Sequence, residues 1–84
     1  MKQYSQEDSE YISNGHYEIN GVEYMSIWTY KNKKHVGDNS TQTNASEARI
    51  FASKGFSCIS TKPDFGNFAQ IYVYQVSDLD SYYL

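Results

Sequence analysis

The residues whose types could do chemistry are few: His16, His35, Cys58 and the pair Glu18 and Glu23. A structural or catalytic metal needs three or four nitrogen, sulfur or oxygen donors at short, recurring spacings. Neither histidine has a cysteine or carboxylate placed that way, so both are expected to be polar surface groups rather than ligands or proton carriers. Cys58 lies between Phe56 and Ser60 in an alternating stretch, which puts it on an expected core face. There a thiol behaves as a small hydrophobe, whereas a nucleophile needs a base or cation to lower its pKa. Glu18 and Glu23 flank Asn20-Gly21 and would face each other in water, without the apolar pocket that raises one carboxylate for acid–base work. Asp64-Phe65-Gly66 spells the magnesium-binding tripeptide of protein kinases, but none of its companion motifs accompanies it and a turn explains it. No glycine-rich phosphate loop and no Gly-x-Ser-x-Gly elbow occurs. The expectation is a protein with no catalytic residue, no metal and no cofactor.

The elements that would position these residues begin with Asn20-Gly21. This dipeptide is the strongest short-range hairpin signal, because a type I′ turn needs positive φ at both central positions. A two-residue loop fixes the register, so Ile19 faces Val22 and Tyr17 faces Tyr24. The same hairpin is expected to run from Tyr11 to Tyr30, so that Ser13 faces Trp28 and Tyr11 faces Tyr30 on the same side. The other side carries Glu18 opposite Glu23, His16 opposite Met25, and Ile12 opposite Thr29. The aromatic side is expected to face the core. Lys31-Asn32-Lys33-Lys34 then reads as a turn, and His35-Val36 as the start of a short third strand. Asn44 and Glu47 have capping-box spacing at the head of a helix that runs to Lys54, with Gly55 ending it and Phe56 folding back on its last turn. Its inner stripe is Ala48, Phe51 and Ala52. Two strands follow, Phe56–Thr61 and Phe68–Ser77. In the expected register Phe56, Cys58, Ala69, Ile71 and Val73 share one face, and Phe68, Tyr72 and Tyr74 take the other.

The fold class predicted is therefore α+β: a two-layer sandwich of one helix on a four- or five-stranded antiparallel sheet, in ββ(β)-α-ββ order. Residues 1–10 are expected to be a mobile acidic arm, 11–77 a single domain, and 78–84 an acidic and aromatic tail. A chain of 84 residues with a single cysteine has no intrachain disulfide to help it. Packing must stabilise it, and nine Tyr, four Phe and one Trp supply the bulk. The formal charge of −3 is uneven: residues 1–10 balance at −2, residues 78–84 at −2, and the body at +1. A near-neutral body disfavours direct binding of nucleic acid, where phosphate neutralisation provides most of the affinity. No run is apolar enough to span a membrane, and the single thiol fits a reducing compartment, so a cytoplasmic protein is expected.

With chemistry set aside, the surplus of phenols points to a contact surface, because Tyr and Met are enriched where proteins meet. If Tyr17, Tyr24, Trp28 and Tyr30 fill the core, then Phe68, Tyr72 and Tyr74 remain outside with Met25 and Ile27. The acids Glu7, Asp8, Glu10, Asp78 and Asp80 could occupy phosphate-binding positions of a partner. In size and in its Tyr, Asn, Ser and Lys content the chain resembles the small accessory proteins of bacterial viruses and other mobile elements. Many of those inhibit a host enzyme or defence system, as anti-CRISPR and anti-restriction proteins do. That resemblance implies a larger host protein or protein–nucleic-acid complex as partner, met in the host cytoplasm. Two other readings are a single-stranded nucleic-acid binder, stacking bases on Phe68, Tyr72 and Tyr74 with Lys31, Lys33 and Lys34 at phosphates, and a homodimer paired through an edge strand.

Overall fold

The computed structural model describes residues 2–36, 44–62 and 70–84. Among them are strands β1 (Gln3–Ser5), β2 (Glu10–Ser13), β3 (His16–Ile19), β4 (Val22–Met25), β5 (Cys58–Thr61) and β6 (Ile71–Gln75). The helices are α1 (Ile27–Lys34), α2 (Asn44–Ser53) and α3 (Val76–Tyr83), and a 3-10 turn, Gln6–Asp8, joins β1 to β2. The α+β class is as expected. The architecture is not the four- or five-stranded antiparallel sandwich: the sheet has six strands in the order β1-β5-β6-β4-β3-β2, is mixed because β1 runs parallel to β5, and curls into a half-barrel.

Local chemistry explains the first half of the chain. Asn20 and Gly21 have φ of 50° and 80°, and the flanking pairs are Ile19 with Val22, Tyr17 with Tyr24, Glu18 with Glu23 and His16 with Met25, as the turn dictates. The expected extension of that pairing to Trp28, Thr29 and Tyr30 does not form, because a second Asn-Gly intervenes. Asn14-Gly15 turns the chain so that Ser13 pairs with His16, and Tyr11 and Glu10 return beside Tyr17 and Glu18. Gly15 has φ of 73°, and a Cβ there would overlap the Thr29 hydroxyl and lie 2.8 Å from Ser26 Oγ. β4 ends because Ser26 caps a helix: its Oγ accepts from Thr29 N at 3.1 Å, and its carbonyl accepts from Tyr30 N at 2.9 Å. So Lys31, Lys33 and Lys34, expected in a turn, lie in the last turn of α1, where their charge suits the carbonyl end of the helix. His35 terminates α1 in the left-handed region, with φ of 54°, so the third strand expected at His35-Val36 is absent.

Both sheet faces are buried, for different reasons. The helices cover the face carrying Met25, Cys58 and Tyr74, which form one cluster with Ile27, Tyr30, Phe51 and Leu79. The expected exposure of the face carrying Met25, Tyr72 and Tyr74 is thereby overturned, while Tyr17, Tyr24 and Tyr30 are buried as expected. On the opposite face Tyr17, Tyr24, Ile59 and Val73 pack together, joined among the described residues by Tyr4 and Ile19 and by no helical residue. Ile59 and Val73 are nonetheless fully buried. Only curvature can close that side. A flat sheet would hold β1 and β2 five spacings apart, about 24 Å. Yet Gln6–Ser9, which joins them, reaches about 18 Å even when fully extended. The edges must therefore turn toward each other, and the concave side fills with rings meeting edge to face: Tyr4 with Tyr24 at 6.4 Å and Tyr11 with Tyr17 at 5.5 Å.

The second half departs by one residue in register. β5 and β6 pair Cys58 with Tyr74, Ile59 with Val73, Ser60 with Tyr72 and Thr61 with Ile71. Cys58 therefore shares its face with Tyr74 and not with Val73. The end of α2 is as expected: Phe56 N donates to Phe51 O and Gly55 N to Ala52 O, both at 3.0 Å, and the two Phe rings stack at 5.3 Å. Of the expected stripe, Phe51 is fully buried while Ala52 is exposed. The capping side chain expected at Asn44 lies outside the described residues, as do Phe68 and Asp64-Phe65-Gly66. Residues 3–5 of the segment read as an arm are strand β1, and residues 78–83 of the segment read as a tail belong to α3, whose Leu79 is wholly buried.

The two Asn-Gly turns should respond differently to a methyl group. Gly21 has open space around it, so Gly21→Ala should cost about 1 kcal/mol from the positive φ alone. Gly15→Ala adds the clash with α1 and should cost about 2 kcal/mol or more by urea unfolding. Equal losses would contradict the close seating of α1 on the Asn14-Gly15 turn.

Candidate functional site

The register separates the groups that might have acted together. His16, Met25, Tyr74 and Cys58 are successive partners in one row across β3, β4, β6 and β5. Three strand spacings, about 14 Å, thus lie between His16 and Cys58, with Met25 and Tyr74 filling them. The Cys58 thiol is buried in the helix-side cluster, and desolvation pushes its pKa up, away from the thiolate. His16 is buried too, with Nε2 3.1 Å from Glu23 Oε1, while His35 is exposed at the end of α1. Among the described residues no three His, Cys, Asp or Glu side chains are grouped to hold a metal ion.

The expected contact face of Met25, Tyr72 and Tyr74 lies beneath the helices. Met25 and Tyr74 are buried, and Tyr72 is half-buried with its hydroxyl donating to Gln70 Oε1 at 3.3 Å. They form no exposed platform on which a base could stack. The reason is α1: by leaving β4 at Ser26, the chain lays Ile27 and Tyr30 over the face a longer strand would have exposed.

Three of the expected charged residues serve the packing of the helices. Tyr30 donates to Asp80 Oδ1 at 2.5 Å, and Tyr83 donates to Glu47 Oε2. Lys31 Nζ lies 3.6 Å from Glu47 Oε1 and 5.0 Å from the centre of the Tyr83 ring. One residue from each helix thus meets at the Glu47 carboxylate. Asp78 is half-buried in the first turn of α3, whereas Lys33 and Lys34 are exposed.

The N-terminal acids are arranged differently. Glu7 and Asp8 are exposed on the 3-10 turn, where Asp8 Oδ2 accepts from Ser5 Oγ at 3.0 Å. The next acid, Glu10, pairs with Glu18, which pairs with Glu23. Paired residues project from the same side, so three carboxylates stand in a row across three neighbouring strands. β4 pairs with β6 only through Tyr24 and Met25, so Val22 and Glu23 extend past the body of the sheet. The row is therefore carried on a projecting ribbon. Of the two ion pairs among the described residues, His16–Glu23 and Lys31–Glu47, neither involves Glu10 or Glu18. The Glu18–Glu23 pair is readable from the Asn20-Gly21 turn. Glu10 joins it only through Asn14-Gly15, a signal of the same kind that went unused.

With that geometry in hand, comparison with known proteins adds no family: no family model, no curated protein and no solved structure matches the chain. Among the described residues, no helix is long and apolar enough to cross a membrane.

The buried phenols make a test of the helix packing. Burial, reinforced by the Asp80 carboxylate, pushes Tyr30 up to about 12. Tyr24, Tyr74 and Tyr83 are also raised, first by burial. The unfolded chain gives up these protons near pH 10 and the folded one holds them, so their contribution to stability is complete below that value and is lost as pH rises from there through the raised folded values. An ultraviolet tyrosinate titration should show these four phenols ionising only with unfolding. A single smooth titration at the ordinary phenol value, without loss of structure, would rule this packing out.

Proposed function

We propose that this protein is a non-catalytic protein-binding module that docks its projecting acidic ribbon onto a basic surface of a larger protein or protein–nucleic-acid complex. The observation that carries this reading is the ladder Glu10–Glu18–Glu23. Like charges directly opposite each other on neighbouring strands destabilise a sheet, and alternation of sign there would be the stabilising choice. A local conflict of this kind, with no compensating ion pair for Glu10 or Glu18 among the described residues, is what a binding surface carries and a purely structural one avoids. Glu7 and Asp8, exposed just before β2, add charge of the same sign.

The specific form we favour is a mobile-element inhibitor of a host defence or nucleic-acid enzyme, of the anti-CRISPR or anti-restriction kind, acting in the host cytoplasm. Carboxylates spaced along a ribbon can occupy the positions at which such an enzyme's Lys and Arg meet phosphates. What supports this form is the chain's size and composition together with that row.

The triple variant Glu10→Gln, Glu18→Gln, Glu23→Gln separates function from folding. Relief of the like-charge pairs should leave stability unchanged or raise it by about 0.5–1 kcal/mol. The same variant should lose a stoichiometric partner that the unaltered protein retrieves from a lysate of the cells in which the gene is expressed, and the retrieval itself should weaken with salt. Retention of the partner by the variant, or a marked fall in its stability, would overturn the assignment.

A further inference from the structure

Among the described residues the sheet ends at two edges, β1 and β2, and they differ in what they offer. β1 borders a polar groove lined by Gln3, Ser5, Gln6, Glu7, Ser60 and Lys62, where the Lys62 N–H already donates to Gln6 Oε1 at 2.9 Å. β2 is exposed at all four of its residues. It carries neither the Lys nor the Pro that commonly guards an edge, and only the register shift between Tyr11 and Ser13 interrupts it.

The ladder says which backbone groups are available. Ile19 and Val22 flank a two-residue turn and so form a hydrogen-bonded pair, as do Tyr17 and Tyr24 two places on. His16 and Glu18 therefore turn their backbone groups toward β2, and Glu10 answers Glu18. Alternation then points the N–H and C=O of Tyr11 out of the sheet.

The two sides of that edge carry opposite chemistry. Tyr11 projects to the concave side, 63% exposed, its ring edge-on to Tyr17. Glu10 projects to the other side, at the end of the carboxylate row.

We propose that the open edge of β2 accepts an extended segment of the partner as a seventh strand, and that this segment alternates apolar with basic residues. The proposal rests on the docking reading above and adds its mode and the partner's local chemistry. The residue opposite Tyr11 exchanges backbone hydrogen bonds with it and lays an apolar side chain on the exposed Tyr11 ring. Its neighbours place Lys or Arg beside Glu10 and Glu18. Backbone pairing supplies affinity and the alternation supplies specificity.

A short capped peptide of alternating Lys and Val tests this against a block peptide of the same composition, with the isotope-labelled full chain followed by amide resonances. The alternating peptide should bind about tenfold more tightly, the worth of two backbone hydrogen bonds at an edge. It should also slow exchange of the Tyr11 amide, and its N-methylated form should lose the advantage. Equal binding of the two peptides would overturn edge addition while leaving charge-driven docking standing. Binding of neither, or no protection of Tyr11, would also overturn it, and the glutamine triple variant then judges the docking reading separately. A free protein that light scattering finds to be a dimer through β2 would overturn it as well, since a second copy would hold the edge.

Discussion

Four residues, Gln6–Ser9, hold the two edge strands of a six-stranded sheet within reach of each other, and the sheet can satisfy that link only by curling. Curvature gives the molecule an interior on a side that, among the described residues, no helix packs against. Ile59 and Val73 lose contact with water there, and tyrosines do the lining, since a phenol can fill the trough with its ring and keep its hydroxyl near solvent. It also frees the helices to gather on the other face, where Phe51, Tyr30 and Leu79 complete a second cluster. Two small cores on opposite sides of one sheet replace the single core that a chain of this length would ordinarily be assigned.

The parts of this fold that were legible in the sequence are those set by contacts between near neighbours. Asn20-Gly21 dictated its turn and four residue pairs, and Gly55-Phe56 dictated how α2 ends. What was not legible depended on partners far along the chain. Ile27 to Tyr30 is rich in the β-branched and aromatic residues that favour strands, and it is helical because Ser26 caps it and because Ile27 and Tyr30, three apart, both find the helix-side core. Val76–Tyr83 has weak intrinsic helix preference, and Leu79, Tyr83 and Asp80 are what hold it down. The register of β5 and β6 slipped by one in the sequence reading because no two-residue turn pins it, and a slip of one exchanges every face.

The candidate site shares that division. Glu18 and Glu23 could be paired from sequence alone, whereas the contact face of Met25, Tyr72 and Tyr74 inherited the slipped register and the overlong hairpin. In the folded chain the exposed chemistry lies at the edge of the sheet and not in its middle. The charged residues divide in the same way. Asp80, Lys31 and Glu47 are internal fastenings of the helices, and Glu10 is one end of the carboxylate row, with Glu7 and Asp8 exposed just before it in the chain.

The two Asn-Gly turns also bear on the order in which the molecule assembles. β2, β3 and β4 are consecutive and joined by two-residue turns, so their pairing closes only short loops and can form early. β1 must wait for β5, at the far end of the chain, and α3 for both α1 and the completed β6. The acidic ribbon is thus the locally encoded unit, and the curl that buries its concave side comes with the last and most distant pairing. On that ribbon Tyr11, Tyr17 and Tyr24 stand together on one side, and the row of carboxylates on the reverse gives it a charge that opposes stacking on others of its kind.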